Sequence, residues 1–204
     1  IMDNNFDKEL FSGETPFDIF KRWLNEAKEK ELSDPEAMAL ASVDQEGVPN
    51  VRIVLLRIIE KESFVFFTNY SSKKGNELLN SKKVAFNIHW KTLRRQVRVR
   101  GLIEKENGLV SDRYFNERPI GSKLGAWASR QSAVLENRQE LLDRWKNFQE
   151  KFQDEIPRPD FWGGFRIKPT EIEFWAEGQY RLHDRFLWKK SKNKTDWESM
   201  RLNP

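Results

Sequence analysis

AMALASVDQEGVPNVRIVLLRIIEKESFVFFTN, residues 37–69, decides how this chain folds. Three runs rich in β-branched and aromatic residues, 37–43, 48–59 and 63–69, are parted only by DQEG and EKE. Connections that short suit antiparallel hairpins. KVAFNIHW (83–90) and RQVRVRGLIEKE (95–106) continue the series. Regularly spaced short strands predict a sandwich or barrel, not a parallel α/β sheet.

Helices flank this series. Thr15-Pro16 reads as an N-cap with proline at the first helical position. It opens PFDIFKRWLNEAKEKEL, where Phe17, Phe20, Trp23 and Leu24 share one stripe and SDPEA ends the run. Further helices are expected at KKGNELLNS (73–81), LVSDRYFNER (109–118, stopped by Pro119) and VLENRQELLDRWKNFQEKF (134–152). FWGGFRIKP, TEIEFWAE and RLHDRFLWKK read as strands returning to the sheet. With no internal repeat and no Gly/Ser linker, a single α+β domain over 16–204 is the economical reading. Residues 1–15 form an N-terminal segment that could be flexible.

Composition narrows the function classes. Eight Trp and fifteen Phe need burial, which argues against disorder. The absence of Cys removes disulfides and thiolate metal sites and fits a reducing compartment. No apolar run reaches the length of a membrane span. The N-terminus lacks a secretory layout, and Ile1 reads as an addition ahead of a natural start at Met2. The cytoplasm is the expected location. A net charge of +4 invites a nucleic-acid reading. Most positive residues alternate with Glu or Asp, however, and the densest run, KKSKNK (189–194), reads as a solvated turn. Neither nucleic acid nor membrane is an expected partner.

Five constellations can carry chemistry. In RLHDRF (181–186), strand alternation would put Arg181, His183 and Arg185 on one face, a cationic row that wants water or an anion. In RIVLLR, Arg52 and Arg57 point to opposite faces of a regular strand, so a bulge or strand end must intervene for both to reach one ligand. Exposed strand ends are the plain alternative. In FFTNYSSKKGNEL (66–78), a strand ends at Thr68, Ser71 or Ser72 can cap a helix, and Lys73 and Lys74 lie in its first turn. Free N–H groups, helix dipole and lysine together suit a phosphate. In RRQVRVRG (94–101), Gln96 offers both donor and acceptor to a heterocycle edge, whereas Arg98 and Arg100 read as a half-exposed strand face. In DRYFNERPIGSKLGAWASRQS (112–132), Tyr114 and Arg118 share a helix face, Ser122 follows in a loop, and Gln131-Ser132 close the segment. A second phosphate could be held there. The two His, 89 and 183, fit no HExxH motif, and GxSxG and Walker loops are absent. Cationic and amide groups without a nucleophile point to a borrowed cofactor.

Taken together, RIVLLR, TNYSSKKG, RQVRVRG, YFNERP-x-x-S-x-x-GAW-x-S-x-QS, FWGGFR and EFW-x-x-G-x-x-RLHDRF resemble the pyridoxine/pyridoxamine 5′-phosphate oxidase family. The resemblance runs in order from about residue 16 to 204. It implies a split β-barrel of antiparallel strands with peripheral helices, forming a homodimer with flavin mononucleotide (FMN) at the subunit interface. Flavin contacts would come from Arg52, Ile53, Val54, Leu55, Phe67, Thr68, Lys73, Lys74, Gln96, Gln131, Ser132, Trp175 and Arg185. Substrate contacts would come from Arg57, Tyr114, Arg118, Ser122, Arg181 and His183, with Arg181 nearest the chemistry and His183 orienting the substrate. The implied reaction oxidises pyridoxine 5′-phosphate or pyridoxamine 5′-phosphate to pyridoxal 5′-phosphate, with O2 as acceptor and H2O2 as product.

Three departures stand out. Arg57 replaces a usual Lys, Lys73 replaces a common Arg, and the N-terminal segment lacks the family's basic, Tyr-bearing pattern. Two rival readings remain: an FMN-binding split-barrel reductase of another substrate, which would not need RLH at 181–183, and a non-catalytic pyridoxal-phosphate carrier.

Overall fold

Thr15 starts helix α1 (Pro16–Lys30), with its backbone N–H and hydroxyl both donating to the Asp18 carboxylate, at 2.8 and 2.9 Å. The computed structural model describes residues 9–60, 62–153, 155–191 and 196–204. The predicted stripe of α1 is its buried face. Phe20 and Trp23 are fully enclosed, with Trp23 edge-on to Phe174 at 5.2 Å and Phe20 against Phe64 at 4.8 Å. Ahead of the helix, Phe11 is buried between Trp23 and Phe186, and Arg22 Nη2 donates to the carbonyls of Leu10 and Ser12. Residues 9–15 are thus packed on the domain. Residues 1–8 of the expected N-terminal segment lie outside the described residues.

Among the described residues, nine antiparallel strands form one curled half-barrel sheet. They are β1 (Ala37–Val43), β2 (Pro49–Leu55), β3 (Ile58–Glu60), β4 (Ser63–Asn69), β5 (Lys83–Trp90), β6 (Arg95–Lys105), β7 (Trp162–Ala176), β8 (Asp184–Lys190) and β9 (Trp197–Leu202). The order is β2-β1-β5-β6-β7-β4-β3, with β8 also on β7 and β9 on β8. The fifteen residues of β7 pair β4 through 162–167 and β8 through 171–176, while β6 runs along its other side. The β6–β7 register shifts at Arg100/Gly101, where a Cβ on Gly101 would run into the Lys168 carbonyl.

Several boundaries differ from expectation. The run 48–59 is two strands, because Leu56 N–H bonds Glu36 O while Arg57 N–H bonds Val65 O, each at 2.9 Å. The chain changes partner there, from β1 to β4. FWGGFRIKP and TEIEFWAE are one strand, β7. In KKSKNK, 189–190 belong to β8 and 192–194 lie outside the described residues.

Four more helices follow α1: α2 (Lys73–Ser81), α3 (Gly108–Asn116), α4 (Ile120–Ala128) and α5 (Arg138–Phe152). α2 has the predicted span, capped by Ser72, whose hydroxyl accepts from Gly75 N–H. α5 starts later than predicted because Asn137 caps it, accepting from Glu140 N–H at 3.0 Å. Ser122, expected in a loop, lies in α4, which begins straight after Pro119. Phe115, Leu124, Ile156 and Trp162 form a second buried cluster beneath these helices.

Candidate active site

A cavity of about 480 Å³ opens where β2, β4, α3 and α4 meet. Among the expected flavin contacts, Ile53, Val54, Leu55, Phe67, Thr68, Lys74 and Gln131 line it. All of Arg57, Tyr114, Arg118 and Ser122, expected to contact substrate, line it too. Ile53, Leu55 and Arg57 sit at alternate positions, which strand geometry puts on one face, and all three line the cavity although the chain changes partner at Leu56–Arg57.

Lys74 is 8% exposed, and its ammonium donates to Thr68 Oγ1 at 2.7 Å, and to Ser72 Oγ and Gln131 Oε1 at 3.2 Å. No carboxylate among the described residues pairs with it. Burial, and then the positive charge of Arg52, lower its pKa from 10.5 to about 8. Gly75 lets α2 start close against the preceding turn, since a Cβ there would collide with the Tyr70 carbonyl.

The opposite wall is aromatic. Phe67 and Tyr114 stack face to face at 3.9 Å, and Trp162 lies nearly parallel to both. The Arg118 guanidinium sits 4.6 Å from the Trp162 ring centre, with its Nη1 buried and unbonded. Burial depresses its pKa, and neighbouring Arg57 adds to the effect. The cavity therefore holds two cationic centres, Lys74 and the Arg57/Arg118 pair, with no paired carboxylate among the described residues. Such centres suit two anionic groups on aromatic molecules, which is what FMN and a phosphorylated pyridine would present.

The remaining expected residues lie elsewhere on the chain. Gln96, Trp175 and Arg185 stand side by side across β6, β7 and β8. Arg185 Nε donates to Glu173 at 2.8 Å, and its Nη1 to Asn203 O at 2.9 Å. Arg181 and His183 line a separate cavity of about 520 Å³. The expectation that Arg181, His183 and Arg185 form one strand row is corrected: 179–181 is a 3-10 turn and β8 begins at Asp184. Tyr180 and Arg181 both have positive φ, 54° and 64°. The chain doubles back so tightly that a Cβ on Gly178 would strike the Leu182 carbonyl. Gly178 N–H donates to His183 Nδ1 at 3.2 Å, and Trp175 lies 4.7 Å from the imidazole.

Arg52 is not among the residues that line the main cavity and is gripped by Ser42 and Glu77. Lys73 opens into another hollow, beside Asp44 and Glu46. Ser132 follows Gln131 with φ at 72°. Trp162, Asn69 and Ser129 also line the main cavity and were not anticipated. For Trp162 the signal was FWGGFR, since a tryptophan at the start of a strand paired to Thr68–Asn69 must face the same end of the sheet.

The fold is that of the FMN-binding split barrels. A pyridoxamine 5′-phosphate oxidase-related, FMN-binding protein of Nostoc punctiforme PCC 73102 superposes with a TM-score of 0.76 at 15% identity, covering 93% of this chain and 98% of that one. PhzG of Burkholderia lata 383, solved with tetrahydrophenazine-1-carboxylic acid, gives 0.90 at 26% identity over 100% and 98%. Residues 24–152 match the pyridoxamine 5′-phosphate oxidase family, and residues 162–204 its pyridoxine 5′-phosphate oxidase C-terminal dimerisation region. The chain is 53% identical to the pyridoxine/pyridoxamine 5′-phosphate oxidase of Cereibacter sphaeroides (strain ATCC 17029) over 96% of its own length and 98% of that protein. It is 48% identical to that of Brucella canis over the full length of both. This chain belongs to the pyridoxine/pyridoxamine 5′-phosphate oxidase family. The expected α+β split barrel is borne out.

Proposed function

We propose that this chain oxidises pyridoxine 5′-phosphate or pyridoxamine 5′-phosphate at C4′ to pyridoxal 5′-phosphate, in the formation and salvage of that coenzyme. The observation that carries the reading is the pair of cationic centres, Lys74 and Arg57/Arg118, opening into one aromatic-walled cavity. Bound FMN supplies the hydride acceptor, and O2 takes the electrons on to H2O2.

The protein's part is placement. Lys74, Thr68 and Gln131 hold the flavin phosphate, backed by Arg52, Lys73 and Ser132, while Ile53, Val54, Leu55 and Phe67 border the ring. Arg57, Tyr114, Arg118 and Ser122 hold the substrate phosphate. Arg57 brings a planar fork to the task where an ammonium is usual.

Gln96, Trp175, Arg185, Arg181 and His183 come from a second copy. One chain presents them on a different surface from the main cavity, so two copies of the chain are needed to close each site. The apolar Val51 and Ile53 on edge strand β2, 69% and 64% exposed, would be covered in such a homodimer. His183 accepts on Nδ1, which puts the proton of the neutral imidazole on Nε2, free to donate to the substrate. Arg181 stands beside it.

Among the described residues no helix is long and apolar enough to cross a membrane. A cytoplasmic site of action, with neither nucleic acid nor membrane as partner, completes the proposal.

The test is direct. Purified protein should be yellow, and pyridoxamine 5′-phosphate should yield pyridoxal 5′-phosphate and peroxide in equal amounts. Flavin-loaded protein that consumes no oxygen on adding either substrate overturns the reading.

A further inference from the structure

Glu77 is 5% exposed, and nothing in the reaction above employs it. Its Oε1 accepts from Asn50 Nδ2 at 2.7 Å, and its Oε2 accepts from the Ser42 hydroxyl and from Arg52 Nη2, the latter at 3.4 Å. Arg52 Nη1 in turn donates to Ser42 Oγ at 2.5 Å and to Leu40 O at 3.2 Å. A guanidinium carries five N–H groups. Here Nη1 and one N–H of Nη2 are engaged, which leaves Nε–H and the second Nη2–H. Arg52 directly precedes Ile53, which lines the main cavity, and its positive charge helps lower the pKa of Lys74. Lys74 and Glu77 are three residues apart on α2, so one helix bears both the cavity's lysine and the carboxylate that grips its neighbouring arginine.

We propose that Glu77 is a positioning residue: by clamping Arg52 against β1 and β2, it aims the unused N–H groups of that guanidinium at the phosphate held by Lys74. The proposal rests on the FMN reading of the cavity. An ordered guanidinium binds an oxyanion without first losing side-chain freedom, and that advantage is what Glu77, Ser42 and Asn50 supply.

The rival role has the opposite sign. A carboxylate that only balanced charge would repel the phosphate, so removing it would tighten anion binding. A positioning carboxylate, when removed, weakens it despite the gain in positive charge.

Dissociation constants of FMN and of riboflavin, which lacks the phosphate, can be measured on flavin-free protein by fluorescence quenching. Glu77→Gln should weaken FMN by about tenfold or more and change riboflavin by less than about twofold. In an Arg52→Ala background the same substitution should have no further effect, because Glu77 acts through that arginine. If Glu77→Gln does not fold, Ser42→Ala, which removes the hydroxyl between the two charges, should give the same split in smaller measure.

Tightened or unchanged FMN binding overturns the proposal. So does equal loss for both flavins, which marks a merely structural role, or a full effect persisting without Arg52. A wild-type protein that binds FMN and riboflavin alike overturns the FMN reading as well. Wild-type preference for FMN with an indifferent Glu77 variant overturns the positioning role alone.

Discussion

The ammonium of Lys74 lies 2.7 Å from the hydroxyl of Thr68, six residues earlier, in a buried setting that offers neutral oxygens and no paired carboxylate among the described residues. A strand end and a helix start are thereby joined at the point where an anion's charge would be most welcome.

Because Lys74 has its pKa lowered to about 8, its charge is present at pH 7 and largely gone at pH 9. FMN binding should weaken by about tenfold across that interval, and riboflavin binding should not. Lys74→Met should bind FMN weakly at both pH values, with the slope abolished. The flavin-free protein should show the converse in stability. Between about 8 and the ordinary lysine value of 10.5 the unfolded chain holds a proton that the folded one lacks, so stability rises with pH there. Urea unfolding at pH 8 and pH 10 checks this.

Arg118 is set between Trp162 and the cavity, with one nitrogen buried and unbonded. Arg118→Ala should raise KM for pyridoxamine 5′-phosphate by about ten- to a hundredfold and lower kcat much less, because the lost contact is to the non-reacting phosphate. Arg118→Lys should recover part of the loss through charge without the fork. Steady-state kinetics with each variant decide it.

Arg185 and Arg181 should separate by phenotype. Arg185 stands opposite Trp175 on a strand, whereas Arg181 is exposed on the 3-10 turn beside His183. Arg185→Ala should lose flavin on desalting. Arg181→Ala should keep its flavin and slow single-turnover reduction by about tenfold or more. Swapped phenotypes would reject the assignment.

Trp23 is fully enclosed, edge-on to Phe174 and Trp90, with the Arg95 guanidinium 5.0 Å from its ring. Trp23→Ala should destabilise the protein by about 3–5 kcal/mol. A lower urea midpoint at unchanged slope is the expected signature.

Much of this architecture could be read from local pattern. Runs rich in β-branched and aromatic residues, parted by short connections, placed β1, β4, β5 and β6, and the α1 stripe is buried where its spacing put it. What escaped was governed by distant partners. The apolar pattern runs unbroken through Leu56-Arg57, and only Glu36 and Val65 interrupt the strand. IGSKLGAWA, with two glycines, looks like a loop, yet Leu124 and Ala128 bury it as α4. RLHDRF alternates as a strand would, but Gly178 folds its first half back. WESMRL carries little pattern of its own and becomes β9 by pairing with β8.

The site divided in the same manner. Lys74 was visible because strand, polar turn and helix start are local signals. Glu77 was not, because its partners Ser42 and Asn50 lie 35 and 27 residues away.

β7 bears Trp162 at one end, in the wall of the main cavity, and Trp175 near the other, among residues assigned to the neighbouring copy's site. Hydrogen-bonded to β4, β6 and β8 along its length, it fixes the spacing between those two tips through one continuous run of backbone.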